Sequence, residues 1–273
     1  MIVVNHDLHV HTYLSSCCVD KENQTPKKIL ALAEEIGLDA IGFLDHIWTN
    51  TQLEPSDWYR SQDEQQITRL RHDLMSVSSS VRVLIGCEAD TVAPGKFSIT
   101  QEFAESLDYV GLSCSHFHMN RFVQQPKDDS PRSLGKHLMT FFVSAARSGL
   151  ATVIVHPFKP FGYLDQYDSA IAALSDTELF DAFSVTAELD IAIEITTSFL
   201  PPIKEKDGSA ASMWSIETPF RILSLAKAAG CKFCFGSDAH SLGAMKQLLK
   251  LEVFIRHLNL SEKDMAPIIK KDV

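Results

Sequence analysis

The chain has 273 residues, is 45% hydrophobic, and carries 35 acidic against 25 basic side chains for a formal charge of −10. It can bury a sizeable core, but with no basic tract to neutralise phosphates it is unsuited to nucleic acid or an anionic membrane as a partner. No apolar run reaches the roughly 18 residues of a membrane span, and residues 1–7 lack the basic and apolar regions of a secretory leader, so a soluble, cytoplasmic protein is expected.

Taken in chain order, residues 2–4 are the first strand candidate, and His9 and His11 follow it. Two apart on an extended chain, these imidazoles share a face. Thr25-Pro26 reads as a cap followed by proline in the first turn, opening a helix that runs to Gly37. Residues 40–44 form the second strand candidate, ending at Asp45 and His46. An irregular stretch, 48–61, precedes a helical pattern over 62–79. The third strand candidate, 81–87, ends at Glu88, and the fourth, 109–114, at His116, with His118 just beyond. A second irregular stretch, 117–132, leads into a helix opened by Ser133 and stopped near Gly149. Residues 152–155 end at His156, with Lys159 three positions later. A helix over 176–189 precedes strand 191–195, which carries Glu194. Thr218-Pro219 opens a helix that stops at Gly230, and strand 232–236 ends at Asp238 and His240 before a last helical pattern over 243–258.

These strand candidates are apolar with little alternation, as in strands buried on both faces, and they alternate with helices about seven times. That predicts a single α/β barrel domain over 1–273. A barrel delivers all its parallel strand ends to one face, where distant residues converge. Imidazole and carboxylate groups at nearly every strand end predict a multinuclear metal pocket, and the two irregular stretches are expected to form its substrate-selecting rim. His72, His137 and His257 fall in helices without partner spacing and read as solvated or packed. His6 reads as a solvent-facing or supporting residue. The six cysteines, including the pair Cys231 and Cys234, suit reduced core thiols better than disulfides.

Asp7-Leu-His9-Val-His11-Thr12, Gly42-Phe-Leu-Asp45-His46, Gly86-Cys-Glu88-Ala, a histidine after the fourth strand, His156-Pro157, Ile193-Glu194-Ile195 and Gly236-Ser237-Asp238-Ala239-His240 together resemble the ordered motifs of the polymerase and histidinol phosphatase (PHP) family. The resemblance covers nearly the whole chain. It implies a distorted (β/α)7 TIM-like barrel and a phosphoesterase centre of two or three divalent ions, manganese, iron or zinc. Carried over by position, His9, His11, Glu88 and Asp238 would hold one ion, and Glu88 would bridge to a second held by His116 and His156. His46 and His240 would hold a third. Where three-metal relatives often place a further histidine, this chain has Cys17, whose thiolate is a competent zinc ligand. Asp45 is expected to orient its neighbouring ligand by a carboxylate–imidazole hydrogen bond, and Glu194 to support the site or the fold.

The resemblance further implies hydrolysis of a small phosphomonoester, L-histidinol phosphate being the best single candidate. A metal-bridging hydroxide would attack in line, with Glu88, Asp238 and His240 at the reacting centre. Lys159 and Arg121 are the nearest cations in sequence for the phosphate, and His118 is expected to face substrate. A phosphodiesterase or nuclease is the alternative, disfavoured by the charge. An amidohydrolase would bring eight strands and a bridging lysine, neither of which is read here, and a non-catalytic metal-binding module would not need so full a ligand set.

Overall fold

The computed structural model describes residues 2–202 and 213–269. These residues form eight strands: β1 (His6–Val10), β2 (Ala40–Phe43), β3 (Arg82–Ala93), β4 (Lys96–Phe97), β5 (Tyr109–Ser113), β6 (Val153–Val155), β7 (Ala192–Thr196) and β8 (Phe233–Gly236). All but β4 pair in parallel in the order β1-β2-β3-β5-β6-β7-β8. Helices follow most strands, so the parallel sheet is covered outside and curls on itself into a nearly closed, TIM-like α/β barrel. The short β4 pairs antiparallel with the far end of β3.

Closure between β8 and β1 is made partly by side chains. Val10 and Ala239 form a parallel bridge, and the His11 amide donates to the Ala239 carbonyl at 3.1 Å. Nearer the strand starts, the Phe235 amide donates to His6 Nε2 at 2.9 Å and the Ser237 amide to Asp7 Oδ1 at 2.8 Å. The Phe235 amide of β8 and the Ser237 amide just past it are thus satisfied by polar side chains of β1, as buried amides require. His6, expected at the solvent or in support of the site, is a buried member of this seam. Burial and then Arg82 push its pKa down to about 3, so it is the neutral ring that accepts from Phe235.

Several boundaries differ from expectation. Residues 2–4 form no strand, and Val3 is exposed; β1 begins at His6, so His9 lies inside it. β3 does not stop before Glu88 but runs on to Ala93. It changes partner on the way, pairing with β2 through Arg82–Ile85 and with β5 from Gly86 to Asp90. Ser130, not Ser133, caps the helix Pro131–Ala146, its side chain accepting from the Ser133 amide. The pattern over 243–258 is three short helical pieces, Leu242–Met245, Lys246–Leu251 and Glu252–Leu258. Thr25 caps Pro26–Glu35 as expected, and Gly37 ends it in the left-handed region at φ 77.

Two apolar clusters hold the molecule. The larger lies between sheet and helices and includes the rings of Phe141, Phe142, Phe158 and Phe183. The smaller, of Leu8, Leu44, Tyr109, Val153, Val155, Ala192, Cys234 and Ala266, draws almost wholly on strands and fills the space the sheet encloses. All six cysteines are unpaired, and Cys231 and Cys234 are buried core thiols. Among the described residues, no helix is long and apolar enough to cross a membrane.

Candidate metal centre

The parallel strands bring seven predicted ligands to one end of the barrel, centred on Glu88. Its Oε2 lies 3.3 Å from Nε2 of His9, of His11 and of His46. Its Oε1 lies 2.9 Å from His156 Nε2 and 3.5 Å from His116 Nε2. Asp238 Oδ1 completes the first side, 3.3 Å from His11 Nε2 and 3.6 Å from His9 Nε2. Among the described residues, three groupings have donor atoms within 4.8 Å of one another: His9, His11, Glu88 and Asp238; Glu88, His116 and His156; and His11, Cys17 and His46. The resemblance implied His46 with His240 in a third site, whereas Cys17 stands in that grouping. His240 stacks on His11 with ring centres 4.4 Å apart and donates its Nδ1 proton to the Asp238 carbonyl at 2.8 Å.

A surrounding layer aims these rings. Glu194 Oε1 accepts the His9 Nδ1 proton at 2.7 Å, and its Oε2 accepts the His156 amide at 2.6 Å. Gly236 makes room for this contact, since a Cβ there would sit 1.9 Å from Glu194 Oε1 and 2.7 Å from His9 Cβ. Asp90, which the sequence reading missed, accepts the His116 Nδ1 proton at 2.7 Å and the Tyr59 hydroxyl proton. The signal for it was its place two residues past Glu88, on the same strand face. Ser115 Oγ lies 3.1 Å from His156 Nδ1. Asp45 does not bond its neighbour His46: its oxygens accept the Thr12 amide and hydroxyl protons at 2.6 Å each, leaving it 3.9 Å from His11 Nδ1. It therefore fixes the turn after His11. His156 and Asp238 hold left-handed backbone, at φ 32 and φ 53, which non-glycine residues seldom adopt.

The donor set fits cations. With its Nδ1 proton held by Glu194, His9 turns its Nε2 towards His11 Nε2, 3.2 Å away, and towards two carboxylates. Such converging lone pairs repel unless protons or metal ions sit among them. Burial opposes ionisation of Glu88 and Asp238, yet the imidazoles, His46 and His9 foremost at Glu88 and His9 and His11 at Asp238, hold both carboxyls well below the ordinary range. Burial would likewise discharge the rings, but Glu194, Asp238 and Glu88 raise His9, and Asp90 and Glu88 raise His116 to about 9. Burial would also raise the Cys17 thiol, but His11, with His240 and His46, brings it down to about 3. Protons and anions thus balance in the space divalent ions would take, and metal binding here would release protons.

A cavity of about 560 Å³ opens over the centre, lined by Glu88, Asp238, His46, His116, Cys17 and His240 at its floor. Both irregular stretches reach it, the first through Ser56, Trp58 and Tyr59 and the second through His118 to Phe122, including Arg121. Lys159 is placed otherwise than expected. It is buried, donates to the Ser198 carbonyl, and lies 4.6 Å from the Trp214 ring and 5.0 Å from Phe161. It does not appear on the cavity wall, and burial lowers its pKa to about 8. The histidines set aside as structural are so: His72 is exposed, His137 donates to the Gln124 carbonyl, and His257 stacks on Phe220 at 3.7 Å.

A family model, the PHP domain, matches residues 7–198. No curated protein sequence matches. Among solved structures, a protein assigned as the histidinol phosphatase hisK of Listeria monocytogenes is 14% identical with a TM-score of 0.58, covering 88% of this chain and 97% of its own. The histidinol phosphate phosphatase of Lactococcus lactis subsp. lactis Il1403, solved with zinc, L-histidinol and phosphate, is 14% identical with a TM-score of 0.55, covering 95% of both chains. At this identity the likeness concerns the fold.

Proposed function

The chain belongs to the PHP domain family, and on that premise we propose that it is a metal-dependent phosphoesterase hydrolysing a small phosphomonoester at the mouth of its barrel. The observation that carries this reading is Glu88. One buried carboxylate turns its two oxygens to two separate sets of imidazoles, the arrangement that holds paired divalent ions for phosphoryl transfer. Such ions, manganese, iron or zinc, supply a water that ionises near neutral pH and neutralise charge on the phosphoryl oxygens.

The protein's own part is positional. His9, His11 and Asp238 would hold one ion with Glu88, and His116 and His156 the other. Glu194 and Asp90 keep protons on Nδ1 of His9 and His116, which would leave Nε2 of each free to hold an ion. Cys17 and His46, with His240 beside them, are assigned to a third ion, and the sulfur ligand favours zinc there. For the phosphate, Arg121 on the cavity wall is the cation favoured over Lys159, whose ammonium is already occupied. L-Histidinol phosphate is the candidate substrate, supported by likeness to a phosphatase solved with L-histidinol and phosphate. The charge of −10 supports a small monoester over a nucleic acid. Six free thiols support a reducing compartment, the cytoplasm.

The test is phosphate release from L-histidinol phosphate by manganese- or zinc-loaded protein, beside a matched phosphodiester. Turnover abolished in His156→Ala is expected, whereas preference for the diester would overturn the monoester assignment. For Cys17, cobalt-loaded protein should show a sulfur-to-cobalt charge-transfer band that Cys17→Ser loses; a band unchanged in the variant removes the thiolate from the centre.

A further inference from the structure

The walls of the cavity above the metal centre carry the rings of Trp58, Tyr59, Phe122 and Phe161, and one of those rings is left uncovered. Trp58 retains 39% of its surface, although it lies beside the centre with its ring 5.0 Å from that of His46 and edge-on to it. It is held by a second edge-to-face contact, 4.7 Å from Tyr59, whose hydroxyl is fixed on Asp90. On the side of the second ligand set, Phe161 packs 5.4 Å from His116 and 5.0 Å from His156. Gly162, at φ 101, lets this segment press on the neighbouring loop, since a Cβ there would sit 2.7 Å from the His118 amide nitrogen. Met119 and Phe122 extend the apolar wall. Both rings therefore stand against imidazoles assigned to the metals, within reach of whatever leaving group is attached to a phosphate bound there. Water gains little at such a surface, whereas a flat apolar group covers it and adds favourable ring-to-ring geometry.

The polar wall is as informative. Among the described residues, the only carboxylates lining the cavity are Glu88 and Asp238, and both already face imidazoles. Cys17 and His116 face the imidazoles and carboxylates of the centre itself, and the charged group on the wall above them is Arg121, which makes no ion pair among the described residues and would repel an ammonium while attracting phosphate. Among the described residues, an ammonium on the leaving group would meet no carboxylate that is not already engaged, and an unpaired charge beside apolar walls is costly.

We propose that this cavity selects phosphomonoesters by a flat, uncharged ring on the leaving alcohol, seated against Trp58 and Phe161, and that it does not read an ammonium. The proposal rests on the phosphomonoesterase reading for the place of the phosphate and adds which part of the alcohol is recognised. For L-histidinol phosphate, it assigns recognition to the imidazole ring and none to the α-ammonium.

The experiment uses three esters on one carbon chain: propyl phosphate, 3-phenylpropyl phosphate and 2-amino-3-phenylpropyl phosphate. Binding of their analogues with the ester oxygen replaced by methylene is measured by calorimetry on metal-loaded protein, and phosphate release is measured on the esters. The ring should tighten binding about 10- to 100-fold, the range that burial of one phenyl group supplies. The added ammonium should leave affinity level or weaken it. Trp58→Ala should narrow the ratio between ringed and ringless analogues, and Trp58→Phe should restore most of it. Equal binding of the ringed and ringless analogues overturns the proposal, as does tighter binding of the ammonium analogue. Ring-dependent binding with no phosphate released from any ester would sustain the ring site and sink the hydrolytic reading, so the two failures are distinguishable.

Discussion

Within one barrel, two layers of the interior are built from opposite materials. Around Tyr109 the enclosed space is filled by Leu8, Leu44, Val153, Val155, Ala192 and Cys234, and the one polar tip among these rings, the Tyr109 hydroxyl, is satisfied at the Leu8 carbonyl at 2.7 Å. At the strand ends the same sheet encloses His9, His11, His46, His116, His156, Glu88 and Asp238, packed ring against ring and carboxylate against ring. The first layer stabilises the fold by burial alone. The second buries charges and gains stability only as far as protons or metal ions compensate them. Substitutions in the two layers should therefore fail in different ways.

The largest effect should come from Glu88→Gln, which keeps the shape of the bridge and removes its charge. Phosphomonoester turnover should fall at least about a thousand-fold, and the melting temperature of the metal-free protein should fall as well, because the protonated imidazoles around Glu88 lose the anion that compensates them. Assay and calorimetry on one preparation check both, and turnover per folded molecule that survives the substitution would erase the contrast between layers. Leu44→Ala should do the reverse. Its side chain is fully buried in the apolar layer, so unfolding in urea should become easier by about 2–5 kcal/mol with turnover per folded molecule retained. Glu194→Gln sits on the border between the layers. Losing the charged partner of His9 Nδ1 should weaken metal binding about 10- to 100-fold, read by competition with a chelator, with a smaller cost in stability than Leu44→Ala. Unchanged metal affinity would make Glu194 a purely structural acceptor for the His156 amide.

The convergence of the imidazoles and carboxylates was largely legible because these residue types rarely gather by chance, at positions the barrel makes neighbours. His9 and His11 announce themselves two apart, and His156 and Asp238 each close an apolar run. What could not be read depends on chain path. Asp90 was hidden because β3 was expected to end at Cys87, and Ala-Asp-Thr-Val-Ala gives too weak an apolar pattern to show that it continues. Trp58 and Tyr59 reach the centre through an irregular stretch with no periodicity to reveal its direction. His6 and Asp7 serve the β8 seam, which forms only once the sheet has nearly closed, so neither shows its role locally. Lys159 misled because nearness in sequence to His156 says nothing of which way a long side chain turns, and here it turns to Ser198.

The left-handed backbone at His156 and Asp238 has a consequence for the robustness of the protein. Each position holds a conformation that costs a side-chain-bearing residue about 1 kcal/mol or more and that glycine adopts freely. Glycine at either place would relax the chain and remove a donor from the centre, so tolerance of heat and competence in catalysis pull these two codons in opposite directions. Mutagenesis that screens only for thermal survival would drift towards glycine there, enriching sturdier barrels that no longer do the chemistry.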